Sequence, residues 1–313
     1  MRLVFWGTSS FAVPALRALL GEGFDVVGVV TQPDRAVGRS RSTLVPPPVK
    51  RVALAEKLPL FQPETPKDEL FLQQFRALEP DLSVVVSYGH ILRESVIALP
   101  THGTINLHAS LLPALRGAAP IQGAVRAGLT ETGVTVMRMV KELDAGPILL
   151  QARTPVARDE TAGELEARLS ELGALALVEA LTLMSLNRLP ETPQDDSRAT
   201  FAPKILREMA RVNWSESADA IARHVRAYDP RPGAFTTHRD GEVKLFGAAA
   251  ADAPSESAHA PGTVVSIDGR GMVVTCGTGA VMIVCAQPAG RTRVNPEEWM
   301  RGRGIEVGER LGA

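Results

Sequence analysis

The feature that most constrains the fold is the alternation of short apolar runs with helical patterns over the first two-thirds of the chain. Segments such as Phe11–Leu20 and Glu69–Leu78 have helical spacing. Apolar runs without polar alternation are typical of strands that are covered on both faces. Strand–helix alternation predicts right-handed βαβ units, so we expect an α/β fold with a mostly parallel sheet. The predicted strands are Leu3–Trp6, Val26–Val30, Leu82–Val86, Thr104–Leu107 and Val134–Met139.

A change of pattern after the predicted sheet indicates a domain boundary. Thr161 and Glu164 form a T-x-x-E capping box, which predicts a helix that runs to about Leu186. The stretch Asn187–Pro203 is rich in proline and has no periodicity, which is typical of a linker. We therefore expect a first domain over residues 1–190, a linker over 191–203 and a second domain over 204–313.

The second region has the pattern of a small antiparallel domain. An amphipathic helix is predicted over Ser217–Tyr228. The short apolar runs that follow are separated by Asp240-Gly241, Asp268-Gly269 and Gly277-Thr278-Gly279, as hairpin loops separate strands. Several short antiparallel strands over this length predict a small β-barrel.

Cysteine content and hydropathy argue against a disulfide-rich secreted protein and against a membrane protein. Two cysteines among 313 residues cannot form a disulfide scaffold or a four-cysteine zinc site. The longest apolar stretch, Leu172–Leu186, contains Glu179 and is shorter than the roughly 20 residues that span a bilayer. At the N-terminus, Gly7–Ser10 and Pro14 interrupt the apolar residues and favour a strand, turn and helix over a signal peptide. We therefore expect a cytoplasmic protein with no membrane contact, no metal site and no obligate protein partner.

The first strand–helix turn argues against a nicotinamide-dependent dehydrogenase. Residues Gly7–Ala12 lack the later glycines of the G-x-G-x-x-G loop that binds a dinucleotide. The second predicted strand ends at Val30-Thr31-Gln32, without the carboxylate that would bind a ribose hydroxyl.

Three polar residues are predicted to meet at one edge of the sheet. Asn106 and His108 are two positions apart on a predicted strand, so their side chains share a face. Pro113 ends that strand, which places both residues near its carboxyl end. Asp144 follows the predicted strand Val134–Met139, and we expect it at the same edge, where α/β sheets open a ligand crevice. A carboxylate beside an imidazole orients the ring and favours its protonated form.

An amide, an imidazole and a carboxylate together suit acyl transfer to an amine. Such a reaction needs a donor to the developing oxyanion and groups that accept and supply protons. The sequence has no G-x-S-x-G nucleophile motif, and Cys276 and Cys285 are on apparent strands. These observations favour direct transfer over a covalent acyl-enzyme.

The ordered set Asn106-x-His108, Ser110-Leu-Leu-Pro113 and Leu143-Asp144-x-Gly146 resembles the signature of the 10-formyltetrahydrofolate-dependent formyltransferases. The resemblance implies a Rossmann-like catalytic domain followed by an OB-like barrel. It also implies that Asn106, His108 and Asp144 are catalytic, with Asn106 as the principal oxyanion donor. The folate co-substrate would then be bound by Ser110, Leu111, Leu112 and Pro113, with the strand end at Tyr88–Leu92 as the wall that receives the pterin.

Further segments are similar to family members whose acceptor is methionyl-initiator tRNA. The resemblance implies formyl transfer to the α-amino group of that tRNA, for the initiation of translation. Residues 31–51 contain five basic residues against one acidic residue, Asp34, which suits an anionic partner. Within them, Arg39 and Arg41 are the candidate tRNA-binding residues. The similar segments are Gln32–Arg35, Gly38-Arg39, Pro48–Lys50, Arg116–Gln122 and Gln287–Gly290.

Two other functions use parts of the same sequence. The same chemistry serves a formyltransferase that acts on a small amine, such as a nucleotide or an amino sugar. A non-enzymatic RNA-binding protein would use the barrel, but residues 204–313 lack the aromatic density of a base-stacking surface. That alternative also leaves Asn106, His108 and Asp144 without a role.

Overall fold

A computed structural model describes residues 1–37, 43–239, 241–252 and 259–312. The chain divides into two compact units. The first comprises Met1–Gly117, Thr132–Thr154 and Glu166–Phe201, and the second comprises Ala118–Glu131, Pro155–Leu165 and Ala202–Ala313.

The secondary structure follows the predicted alternation of strands and helices. The strands over residues 2–155 are β1 (Arg2–Gly7), β2 (Asp25–Val30), β3 (Arg35–Val37), β4 (Thr43–Val45), β5 (Leu60–Phe61), β6 (Leu82–Val86), β7 (Thr104–His108), β8 (Glu131–Arg138) and β9 (Ile148–Pro155). The helices over the same part of the chain are α1 (Val13–Gly21), α2 (Pro48–Ala55), α3 (Glu69–Ala77), α4 (Glu94–Ile97), α5 (Pro120–Ala127) and α6 (Ala162–Ser185).

One mixed sheet organises the first unit. Its described strands lie in the order β5-β2-β1-β6-β7-β8-β9. The pairs from β5 through β7 are all parallel, and β8 is antiparallel to β7. The predicted α/β class with a mostly parallel sheet is therefore confirmed.

The direction of β8 corrects one expectation. Arg138, at the end of β8, pairs with Ile105 near the start of β7, whereas His108 pairs with Thr135. Asp144 therefore does not follow a strand parallel to β7, and the argument from a shared carboxyl edge is wrong. The physical reason is that β8 runs opposite to β7, so the connection that follows it, residues 139–147, starts at the edge of the sheet where β7 begins and turns back to bring Asp144 to His108.

An aromatic cluster supports the sheet beside the end of β6. Trp6 of β1 makes edge-to-face contacts with Phe71, Phe75 and Tyr88, with ring centroids 5.3–5.6 Å apart. Phe71 and Phe75 lie four residues apart on α3, so they share a face of the helix. The α3 helix begins where the Asp68 side chain accepts a hydrogen bond of 3.0 Å from the Phe71 amide.

Residues 88–92 differ from their predicted form. Strand β6 ends at Val86, so Tyr88–Leu92 is a loop rather than the end of a strand. Tyr88 and Leu92 are buried in the aromatic cluster, whereas Ile91 is 82% exposed. The positive φ of Ser87 (46°) and Gly89 (90°) turns the chain out of the sheet direction there.

The capping box at the start of α6 forms as predicted. The Thr161 amide and hydroxyl both donate to Glu164 Oε2, at 2.9 and 2.7 Å, and the Glu164 amide donates to Thr161 Oγ1 at 3.2 Å. The helix ends at Ser185, close to the predicted end at Leu186. Within the described ranges, no helix is long and apolar enough to cross a membrane.

The second unit contains the predicted antiparallel sheet. The strands β10 (Ala234–His238), β11 (Gly241–Ala251), β12 (Val264–Asp268), β13 (Gly271–Thr275) and β14 (Ala280–Pro288) are joined by hydrogen bonds in the order β10-β11-β14-β13-β12. All these pairs are antiparallel, and short connections join β12 to β13 and β13 to β14 at the predicted positions Asp268-Gly269 and Gly277-Thr278-Gly279. Asp240, of the third predicted hairpin loop, lies outside the described residues. The α7 helix (Ala218–Ala227) lies within its predicted range and starts at the cap Ser217; α8 (Pro296–Arg301) was not predicted.

Candidate active site

Strand β7 fixes two of the predicted catalytic residues. It is paired on both sides, with Asn106 opposite Val85 of β6 and Met137 of β8. Asn106 and His108 project from the same face because they are two residues apart on the strand. Asn106 is half-buried, and its side-chain amide makes no hydrogen bond within the described residues. This amide is therefore available to a substrate.

Two oxygen atoms orient the imidazole of His108, which is 6% exposed. Its Nε2 lies 3.0 Å from the carbonyl oxygen of Leu115, and its Nδ1 lies 3.7 Å from Asp144 Oδ2. Because a carbonyl only accepts hydrogen bonds, Nε2 carries the proton in the contact with Leu115. Nδ1 is thus the ring nitrogen that faces the carboxylate.

Asp144 reaches His108 from a tightly folded connection between β8 and β9. Its backbone has a φ of 51°, and its Oδ2 accepts a hydrogen bond of 2.8 Å from the Gly117 amide. At Gly146, a Cβ atom would lie 1.9 Å from the carbonyl oxygen of Arg138, so only glycine fits this close approach. His108 and Asp144 are neighbours, as predicted. The premise of that prediction was different, because it took β8 to be parallel to β7.

Hydrogen bonds to Thr135 of β8, and one from Ser110 to Ala114, hold the Ser110–Pro113 loop in place. Thr135 Oγ1 donates to the Ser110 carbonyl at 2.7 Å and accepts from the Leu112 amide at 3.1 Å. The Ser110 hydroxyl donates to the Ala114 carbonyl at 2.6 Å, so it shapes the loop. Ser110 and Leu112 are buried, and Leu111 and Pro113 are half-buried.

The sequence argument missed the role of residues 194–200, which lie in the predicted linker. Gln194 Nε2 donates to the Asp144 carbonyl at 2.8 Å. Thr200 Oγ1 accepts from the Leu115 amide at 2.9 Å. This segment therefore contacts both loops that orient His108. No local pattern in a proline-rich stretch indicates such contacts, since each partner lies more than 45 residues away in the chain.

A polar network lies at the base of the predicted tRNA-binding segment. Lys50 Nζ lies 2.7 Å from Asp34 Oδ1, and Gln62 donates to the same oxygen at 2.9 Å. The hydrogen bonds from Gln62 and Lys50 hold the pKa of the Asp34 carboxyl below its usual value. Arg39 and Arg41 themselves lie outside the described residues.

Beside this network, the Tyr88 carbonyl accepts hydrogen bonds from Thr8 and Gln32, at 2.8 and 3.0 Å. The buried Tyr88 hydroxyl has no hydrogen-bond partner among the described residues, and its burial raises the pKa of Tyr88 to about 12. Over the part of the chain that the structure describes, no group of three or more His, Cys, Asp or Glu residues is placed to hold a metal ion.

Two family models match the chain. Residues 1–181 match the model described as formyl transferase, and residues 204–304 match the model of the formyl transferase C-terminal domain. The first match includes β7 and the β8–β9 connection, where Asn106, His108 and Asp144 lie.

Two solved structures share the fold. HypX from Aquifex aeolicus, in complex with tetrahydrofolic acid, has a TM-score of 0.69 at 19% identity; the match covers 99% of this chain and 48% of that one. An N-formyltransferase from Helicobacter canadensis, in complex with folinic acid and dTDP-3-aminofucose, has a TM-score of 0.69 at 16% identity, over 91% of this chain and 98% of that one.

Curated relatives are much more similar. The methionyl-tRNA formyltransferase of Moorella thermoacetica is 45% identical over 312 residues, which cover 100% of this chain and 99% of that protein. The methionyl-tRNA formyltransferase of Stenotrophomonas maltophilia is 45% identical over 97% of this chain and 98% of that protein. The chain therefore belongs to the formyl transferase family and, within it, to the methionyl-tRNA formyltransferases.

Proposed function

We propose that the protein transfers the formyl group of 10-formyltetrahydrofolate to the α-amino group of methionyl-initiator tRNA through Asn106, His108 and Asp144. The observation that carries the assignment of the site is the contact between His108 and Asp144. Asn106 lies two positions before His108 on β7, is half-buried, and its side-chain amide makes no hydrogen bond among the described residues. The full-length similarity to methionyl-tRNA formyltransferases supports the choice of acceptor.

Asn106 is the oxyanion donor in this proposal. When the amine attacks the formyl carbon, negative charge develops on the formyl oxygen. A side-chain amide held by a strand that is paired on both sides donates to this oxygen without having to reorganise. The free hydrogen-bonding capacity of the Asn106 amide supports this role.

The transfer is completed when the bond between the formyl carbon and N10 breaks; the amine gives up one proton and N10 of the departing tetrahydrofolate takes one up. His108 and Asp144 handle these protons in the proposal. Nδ1 faces the carboxylate, so a proton taken up there gives an imidazolium whose charge Asp144 stabilises. The Nε2–H bond to the Leu115 carbonyl must be shared or exchanged if this nitrogen polarises the formyl oxygen. Asp144 therefore sets the orientation and the charge of the ring.

The folate co-substrate is assigned to the loops that follow β6 and β7. Leu111 and Pro113 keep part of their surface exposed, and Ile91 is an apolar side chain that is 82% exposed. Apolar surface of this kind suits a flat heterocycle. Folate compounds are bound in the two solved structures of the same fold, which supports a folate substrate here.

The acceptor is assigned to the basic segment and to the second domain. We propose residues 1–190 as the catalytic domain, 191–203 as the linker and 204–313 as the domain that binds the body of the tRNA. Arg39 and Arg41 would contact the tRNA, because guanidinium groups bind phosphate and base edges through paired donors. Because aminoacyl-tRNA is consumed where translation takes place, we propose a cytoplasmic location for the protein.

A comparison of acceptors tests the proposal. Purified protein is incubated with 10-formyltetrahydrofolate and with methionyl-initiator tRNA, free methionine or an amino sugar nucleotide, and formation of tetrahydrofolate is followed. We expect rapid turnover with the charged tRNA only. Rapid turnover with the amino sugar nucleotide and none with the tRNA would instead establish the small-amine formyltransferase.

Arg39→Ala tests the contact with the acceptor. We expect a higher KM for methionyl-tRNA and an unchanged affinity for folate. If Arg39 binds one phosphate, the loss should shrink as salt rises, because each neutralised phosphate contributes about 0.9 to the log–log salt slope of duplex DNA, used here as an approximation for RNA. An unchanged kcat/KM at two salt concentrations would remove Arg39 from the tRNA site.

A further inference from the structure

Gln194 uses the full hydrogen-bonding capacity of its side chain. Its Nε2 donates to the carbonyl oxygens of Asp144 and Gly146, at 2.8 and 2.7 Å. Its Oε1 accepts from Nε and Nη2 of Arg116, at 3.1 and 2.7 Å. An amide has two donor hydrogens and two acceptor lone pairs, so all four are engaged. This saturation stands out because the residues on either side of Gln194 are exposed.

The partners of Gln194 are fixed in turn. Arg116 is 6% exposed, and its Nη2 also lies 2.6 Å from Asp196 Oδ1. The backbone amide of Arg116 donates to the Thr200 carbonyl at 2.8 Å. Gln194 is therefore held by a buried cation that is itself anchored to the same segment, residues 194–200.

The peptide that Gln194 holds needs external support. Asp144 has a positive φ of 51°, a conformation that residues other than glycine rarely adopt. The connection on the N-terminal side of Asp144 is exposed, with Leu143 at 60%. The two bonds from Gln194 hold the carbonyls of Asp144 and Gly146, and the bond from the Gly117 amide holds the Asp144 carboxylate.

We propose that Gln194 is a positioning residue for formyl transfer, which acts on His108 through Asp144. Its amide fixes the backbone from Asp144 to Gly146, and this places the carboxylate 3.7 Å from His108 Nδ1. The proposal rests on the catalytic roles of His108 and Asp144 proposed above. Arg116 orients the Gln194 amide so that its donors face the two carbonyls.

Two substitutions separate positioning from simple structural support. Gln194→Leu removes all four hydrogen bonds at similar volume. Gln194→Glu keeps an acceptor for Arg116 but, as a carboxylate, cannot donate to the two carbonyls. We expect kcat to fall about 100-fold in both variants, the size of effect that a displacement of about 1 Å in an active site produces. KM for both substrates should stay within about twofold, because the polar atoms of the Gln194 side chain are already engaged by Arg116 and by the carbonyls of Asp144 and Gly146. Gln74→Leu, an exposed glutamine on α3, is the matched control and should behave as wild type.

The decisive experiment combines these variants with Asp144→Asn and measures kcat, KM and thermal unfolding. If Gln194 acts through Asp144, the double variant Asp144→Asn/Gln194→Glu loses little more activity than Asp144→Asn alone. Wild-type kcat in Gln194→Glu overturns the proposal, since pairing with Arg116 would then suffice. Losses that multiply in the double variant overturn it too.

The two variants Asp144→Asn and Gln194→Glu distinguish an error in the proposed function from an error in the positioning role of Gln194. Full activity of Asp144→Asn would remove Asp144 from the reaction, and Gln194 with it. An inactive Asp144→Asn together with an active Gln194→Glu would leave the catalytic site in place and refute only the role of Gln194. If Gln194→Leu does not fold, Gln194→Glu decides, because it retains the pairing with Arg116.

Discussion

The two halves of the candidate site are held in place by different means. Asn106 and His108 are on β7, whose backbone pairs with β6 at residues 104–106 and with β8 at residues 105–108. Asp144 is on an irregular connection with a positive φ, and it is fixed by the Gly117 amide and by Gln194, a residue 50 positions away. The amide and the imidazole are therefore built into the sheet, whereas the carboxylate is placed by contacts from outside it.

The largest loss of activity is expected when a catalytic side chain of either half is truncated to alanine. Asn106→Ala, His108→Ala and Asp144→Ala should each lower kcat by about 10²–10³-fold, the cost of losing one oxyanion donor. Circular dichroism should show a folded protein in every case, because none of these side chains belongs to the apolar core. Near-wild-type turnover in a folded variant would exclude that residue from the site.

Gly146→Ala should disturb only the half that is placed from outside. The added Cβ would meet the Arg138 carbonyl at 1.9 Å, so the backbone near Asp144 must move. We expect kcat to fall about 100-fold while the affinity for folate changes little. Gly21→Ala is the matched control, because a Cβ there meets no atom within 4 Å. Equal kinetics in the two variants would argue against a finely placed Asp144.

Thr135→Val should loosen the half that the sheet holds. The buried hydroxyl makes three contacts around the Ser110–Pro113 loop, with the Ser110 carbonyl, the Leu112 amide and the Gln151 side chain. A net loss of about 1 kcal/mol in the loop corresponds to a rise of roughly fivefold in the Kd for folate. Thr132→Val, at a buried threonine on the same strand, should leave calorimetric folate binding unchanged. If both variants bind folate equally well, the assignment of this loop to the folate is wrong.

Thr161→Ala should have the smallest effect, since the capping box lies in neither half. The loss of an N-cap costs about 1 kcal/mol of unfolding free energy, and kcat should be unchanged. The hydrogen bonds from Thr161 hold the pKa of Glu164 below its usual value. A lowered pKa stabilises the fold above about pH 4.3 and ceases to do so as the carboxylate is protonated. The difference in unfolding free energy between variant and wild type should therefore shrink in acid; a constant difference from pH 7 to pH 3 would contradict this.

The half of the site on β7 was predicted more accurately from the sequence than the half that contains Asp144. Apolar runs gave the positions of β1, β2, β6 and β7 to within about two residues, because burial on both faces leaves a local pattern. The two-residue spacing of Asn106 and His108 fixed their common face. These inferences need only short stretches of chain.

The other half depends on contacts that leave no local pattern. Asp144 was expected near His108, but on the premise of a parallel strand, and β8 is antiparallel. Gln194 lies in a proline-rich stretch whose composition indicates a connection and gives no sign of its partners. Contacts across 50 or more residues are set by the tertiary fold, so a single sequence does not reveal them.

Hydrogen exchange at the Gly117 amide tests the difference between the two halves most directly. This amide donates to Asp144 Oδ2, so its protection reports whether the carboxylate is in place. In Gln194→Leu, we predict that protection at Gly117 is lost while the amides of β7 keep their wild-type protection. Unchanged protection at Gly117, or an equal loss along β7, would contradict the conclusion that Asp144 is placed from outside the sheet.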